Sequence, residues 1–149
     1  MPRRELKYPH QVTEWLEEWG RKLSEPASMT LIGSAGLLWH TARIGRDDPL
    51  PENSMDADPV TDSEAVAELA YEASIGSEFE NRHGWHVNLM PRMALDLLPS
   101  GWKERTFRAS YDCLTVVVPS AADLLAPKLA RNEPRDRRHA EFARAVGLI

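Results

Sequence analysis

Residues 28–43 read SMTLIGSAGLLWHTAR, and residues 55–60, beyond a polar loop, read MDADPV. The first stretch changes character at Gly33. SMTLIG is a short apolar run of strand type, whereas SAGLLWHTAR lacks a proline and predicts a buried helix. Gly33 permits close backbone approach at the turn between them, and Ser34 stands where the helix begins. A helix N-terminus carries unpaired amides and a partial positive charge, which suits a phosphate. In MDADPV, Asp56 and Asp58 are one residue apart, flanked by Met55, Ala57 and Val60 rather than by further charge. If the segment is extended, both carboxylates project from the same side. Like charges that close repel and resist desolvation unless water, a cationic group or a metal relieves them. The residues alone leave two readings open, a turn with two solvated aspartates or one half of a metal site.

Outward from this pair, helices and strands alternate. In QVTEWLEEWGRKL, Val12, Trp15, Leu16, Trp19 and Leu23 recur at helical spacing, and Pro26 closes the segment. This predicts an N-terminal helix over about residues 10–24. RIGRDDPLPEN is a polar loop with two prolines and a glycine. TDSEAVAELAYEAS opens with Thr61 and has Glu64 three residues on, a capping-box signature before an amphipathic helix. HGWHVNLM, RTFRASY and CLTVVVP predict three more strands. SAADLLAPKLAR, with Ser120 as cap, and EPRDRRHAEFARAVGLI predict C-terminal helices over about 120–146, and Pro127 should kink or divide the first. With no repeat and no separating linker, residues 1–149 are expected to form a single domain with its core over about 28–118.

Composition bounds the function. Hydrophobic content of 42% and charged content of 28% are those of an ordinary globular protein, and 149 residues suffice for one core. A net charge of −5 argues against a general grip on nucleic acid but allows a local basic patch, of which RNEPRDRR is the densest candidate. No apolar run approaches the ~20 residues of a membrane span. MPRRELKYPHQ has basic residues without an apolar run behind them, so no secretion signal is expected. Cys113 is the only cysteine, which excludes an internal disulfide and a thiolate-cluster metal site and makes a cytoplasmic setting the expectation. His83 and His86 in HGWH have no third ligand of their type nearby. The five tryptophans are expected in packing rather than base stacking.

A strand ending in Gly33-Ser34, a helix, then Asp56-Ala57-Asp58 on a strand resembles the nucleotidyltransferase superfamily with the polymerase-β-like fold. The tail, DLLAPKLARNEPRDRRHAEF, is similar to the Lys…Arg-Asp segment of the AbiE-type toxin-like nucleotidyltransferases, at Lys128, Arg135 and Asp136. HVNLMP and LPSGWKERTF also resemble the middle of small members of that group. The resemblance covers about residues 28–145. It implies an α+β fold, a mixed sheet flanked by helices, and transfer of a nucleoside monophosphate from a nucleoside triphosphate to a macromolecular acceptor, RNA (tRNA) or a protein. It also implies a toxin–antitoxin or phage-defence role, with an antitoxin-like protein as partner.

The same resemblance assigns roles. Asp56 and Asp58 would hold magnesium, which bridges phosphate oxygens and activates the attacking hydroxyl. Gly33 and Ser34 would orient phosphates, Lys128 would neutralise developing charge, and Arg135 would contact phosphate or brace Asp136. The sequence departs from the pattern at three places. Residues 35–55, 21 in all, separate Ser34 from Asp56, about twice the usual spacer. Asn88 stands at the apparent third-carboxylate position, with Asp96 the nearest substitute. His139 replaces a second C-terminal aspartate. These departures keep open a second reading, an inactive relative that binds a nucleotide or a protein partner. A DNA-binding regulator is disfavoured by the acidic charge and the absence of a helix-turn-helix pattern.

Overall fold

The computed structural model describes residues 5–51 and 55–149. Residues 1–4 and 52–54, the latter including the end of the long loop, lie outside the described residues. Among the described residues, six α-helices and five strands make a mixed α+β fold: α1 Pro9–Lys22, β1 Ala27–Ile32, α2 Ser34–Arg43, β2 Asp56–Val60, α3 Glu64–Glu72, α4 Glu78–His83, β3 His86–Val87, β4 Phe107–Tyr111, β5 Leu114–Val118, α5 Ala121–Arg131 and α6 Pro134–Val146. Two 3-10 segments, Arg92–Leu97 and Trp102–Arg105, fill the stretch between β3 and β4.

The sheet order is β3-β2-β1-β5-β4. β1 lies antiparallel to β2 and parallel to β5, so the aspartate strand and the strand that feeds α5 flank one central strand. Alternation sets the two faces. Met29 and Leu31 of β1, and Leu114, Val116 and Val118 of β5, are buried against the helices. Ser28 and Thr30 of β1, and Thr115 and Val117 of β5, belong to the other face and keep some exposure.

α1 starts at Pro9, whose missing N–H is no loss in a first turn. The Gln11 side chain accepts the Tyr8 N–H at 2.7 Å, closing the first turn. Its apolar face buries Val12, Trp15, Leu16 and Trp19. Trp15 meets Trp19 and Trp85 edge to face at 5.0 and 5.7 Å between centroids. Burial of each such side chain contributes about 1.5–3 kcal/mol. Gly20 lets the helix touch the β4–β5 hairpin: a Cβ there would lie 1.8 Å from the Tyr111 carbonyl oxygen.

Several sequence expectations need correction. Thr61 does not cap α3; its hydroxyl donates to the Ser28 carbonyl at 2.7 Å, tying the end of β2 to β1. Ser63 is the cap, accepting the Val66 N–H at 3.3 Å. HGWHVNLM holds only the two-residue strand β3, although single bonds from Asn88 N to Ala57 O and Met90 N to Pro59 O, at 2.8 and 2.9 Å, extend its pairing with β2. α4 was not expected at all. Pro127 does not divide α5, which runs through it from Ala121 to Arg131. Ser120 caps α5 as expected, accepting the Asp123 N–H at 3.2 Å.

Candidate active site

The turn after β1 is built by its sequence. Gly33 has φ +73° and ψ −158°, a conformation that side chains strongly disfavour. It forms the N-cap of α2, and Ser34 is the first helical residue. Register then brings the acids to this turn, since Asp58 lies opposite Ile32 across the β1–β2 pair. The fit is close: a Cβ on Gly33 would stand 2.8 Å from Asp58 Oδ2. Asp56 and Asp58 do alternate to one face, with Ala57 buried between them on the other.

Burial and the neighbouring Asp56 charge push the Asp58 carboxyl up to about 6, only partly opposed by Asn88, Lys128 and His86. Asn88 stands where a third acid was looked for. Its Nδ2 donates to Asp58 Oδ1 at 3.4 Å, so a neutral amide stands beside the carboxylate pair. Asp96 does not substitute, since it is exposed and lines a separate hollow. Nor do the histidines of HGWH gather a site. His83 packs on Phe79 at 4.2 Å between centroids, while His86 Nδ1 pairs with Glu80 Oε2 at 2.7 Å.

The basic side of the site comes from α5 and α6. Lys128 is buried, 8% exposed, and its Nζ donates to Ser34 Oγ at 3.2 Å. Burial holds its ammonium down to about 8, against the pull of Asp136. Asp136 is fully buried and takes a bidentate pair from Arg131, Nε to Oδ2 at 2.9 Å and NH2 to Oδ1 at 2.6 Å. It also accepts the Glu133 N–H at 3.2 Å, which closes the first turn of α6. The guanidinium holds its carboxyl down to about 2. The brace is therefore Arg131, not Arg135, and Arg131 is the site residue that the sequence reading missed. Asn132, at φ 54°, turns the chain between the two helices so that the end of α5 faces the start of α6.

Together these groups border a cleft of about 640 Å³. Gly33, Ser34, Asp56 and Asp58 form one wall, Lys128, Arg131 and Arg135 another, and Leu97, Leu98 and Leu124 supply apolar surface. His139 also borders it, with Nε2 3.0 Å from the Pro51 carbonyl oxygen. Asp136 does not border the cleft; it is buried behind it, paired with Arg131. Among the described residues, no group of three or more His, Cys, Asp and Glu side chains is arranged to hold a metal ion. Two carboxylates of which one is raised by its neighbour do suit a hard divalent cation shared with a phosphate-bearing ligand. Magnesium commonly takes one or two carboxylates and leaves its remaining positions to water and phosphate.

A glycine turn opposed by a carboxylate pair on the adjacent strand, inside a mixed α+β sheet, defines the class as nucleotidyltransferase-like. The chain belongs to the family described as nucleotidyltransferase of unknown function, DUF6036, which matches residues 10–145. No curated protein and no solved structure matched the chain. Among the described residues, no helix is long and apolar enough to cross a membrane.

Proposed function

We propose that the protein, acting as a single domain in the cytoplasm, transfers a nucleoside monophosphate from a nucleoside triphosphate to a hydroxyl of a macromolecular acceptor, RNA or protein. The observation that carries this reading is the convergence on one turn of the Asp56–Asp58 pair and the buried Lys128, whose Nζ lies 3.2 Å from Ser34 Oγ. Asp56 and Asp58 would hold magnesium, which supplies charge neutralisation along the phosphates. The acceptor hydroxyl releases its proton to water, and its oxygen bonds to the α-phosphorus as the bond to the pyrophosphate oxygen breaks and pyrophosphate leaves. Lys128 and Arg135 offset charge on the triphosphate, and Arg131 with Asp136 keeps that cationic wall in place. A toxin role opposed by an antitoxin-like partner is the finer form of the proposal, supported by the resemblance of the tail.

The test is incubation with each labelled triphosphate, magnesium and total RNA or protein. Label should enter one acceptor fraction with one nucleotide and vanish when Asp56 and Asp58 are both changed to Asn. A second reading has its own support in Asn88, whose neutral side chain stands beside Asp58. Binding of triphosphate without transfer to any fraction would select that inactive relative instead.

A further inference from the structure

The sheet face that carries the carboxylates continues past them. Ile32 and Asp58 are cross-strand partners, and two residues along, on the same face, Val60, Thr30, Val117 and Arg108 form a row across four strands. Beside it Ser28, Thr115 and Ser110 form a hydroxyl row. The two 3-10 segments stand at this face and help to enclose a groove of about 270 Å³ lined by Thr30, Thr61, Arg92, Trp102, Lys103 and Arg108, among others. The segment Arg92–Leu97 borders both hollows, with Ala94 and Leu97 toward the catalytic cleft and Arg92 and Leu95 toward the groove.

The charge of this groove is opposite to that of the chain. The protein carries −5 overall, yet the groove holds Arg92, Lys103 and Arg108 against the carboxylate of Asp62. Asp62 pairs with Arg92 at 3.0 Å in the open, where such a pair is worth little. Among the described residues, no ion pair engages Lys103 or Arg108. Lys103 Nζ lies 6.0 Å over the half-buried Trp102 ring, so cation and aromatic surface coincide.

We infer that this groove seats a single strand of RNA as the acceptor, crossing the sheet toward Asp58. Three interstrand steps of about 4.8 Å put Arg108 roughly 14 Å across the sheet from the β2 strand, the reach of a short run of nucleotides. Side-chain hydroxyls at Ser28 and Thr30 can both donate to and accept from a ribose 2′-hydroxyl, a group that DNA lacks. Trp102 offers a stacking edge for a base. The direction of the strand rests on the nucleotidyltransferase reading; its binding does not.

The test is fluorescence anisotropy of a short, labelled, mixed-sequence RNA, without triphosphate or magnesium, across a salt series. Wild type should bind, more weakly as salt rises. Changing Arg92, Lys103 and Arg108 to Ala should lower affinity by on the order of tenfold or more, and should flatten the log–log salt slope by about 2, at roughly 0.7 per lost cation. Lys103→Ala with Arg108→Ala, which keeps the Arg92–Asp62 pair, should show an intermediate loss with unchanged melting. Arg138→Ala with Arg144→Ala on α6 should bind as wild type, and triphosphate affinity should not move in the groove variants. Failure of wild type to bind would overturn the inference, as would a loss confined to the α6 variant. Equal binding of the matching DNA or duplex would also overturn it. So would equal binding of polyglutamate, which would point to an acidic protein instead. RNA binding without nucleotide transfer to any RNA or protein would sink the transferase reading, and with it the acceptor role, while leaving the groove's RNA binding standing.

Discussion

Asp58 occupies the space that a side chain on Gly33 would need, its Oδ2 lying 2.8 Å from where a Cβ would be. The turn and the carboxylate are thus a single fitted unit, and four expectations follow from that unit and its supports.

Gly33→Ala should lose about 1–3 kcal/mol of stability to backbone strain, and should also displace Asp58 and abolish triphosphate binding. Gly45→Ala is the matched control, because Gly45 also has positive φ, +80°, but no atom within 4 Å of the added methyl. Urea melts and calorimetric titration of both variants check this. Equal losses of stability and unaltered binding in both would mean that the contact with Asp58 is immaterial.

Asp58→Asn should stabilise the ligand-free protein at neutral pH by on the order of 1–2 kcal/mol, since it removes a buried charge beside Asp56. The sign follows from a folded-state value of about 6 against an ordinary 3.8. Between those values the folded form keeps a proton that the unfolded chain has released, so wild-type stability falls as pH rises through the window. The variant should lack that fall, and magnesium should no longer raise its melting temperature. Thermal melts at pH 4 to 8 measure both effects.

Asp136 works in the opposite sense. Its carboxyl is held down to about 2 from 3.8, so its pairing with Arg131 stabilises the fold fully above the ordinary value. That contribution, about 2 kcal/mol, is lost as pH falls from about 4 to 2. Asp136→Asn should lower stability at pH 7 by about this amount and flatten the acid limb of the stability curve. Arg131→Ala should do likewise, whereas Arg135→Ala should leave stability unchanged and weaken triphosphate binding.

Asn88→Asp should place a third negative charge beside Asp58, where Nδ2 now donates at 3.4 Å. Ligand-free stability should fall and magnesium affinity should rise, both from the same repulsion, with magnesium rescuing the melting temperature. A variant matching wild type on both counts would remove Asn88 from the cluster.

The strand, turn and helix around Gly33 are legible because a short apolar run, a glycine and a proline-free stretch agree there. The carboxylate strand is legible too: Ala57 between two acids already states which face is buried. α4 was missed although its signal is present, Ser77 with Glu80 three residues on, because the flanking Gly76 and Gly84 read as loop. Thr61 was mistaken for a cap because a hydroxyl before a helix looks alike whether it bonds forward to the helix or sideways to a neighbouring strand. The Arg131 brace is a different failure. Asp136 follows Arg135 directly in sequence, and only the left-handed turn at Asn132 reveals that the guanidinium five residues back is the one that reaches it.

The strand order has a temporal consequence. β1 sits between β2, which carries the acids, and β5, which leads into the lysine helix. During synthesis the glycine turn and both aspartates emerge well before Ala121–Arg131 does. A chain still on the ribosome therefore presents an acid pair with no buried lysine beside it, and the complete constellation exists only once α5 has been released and docked.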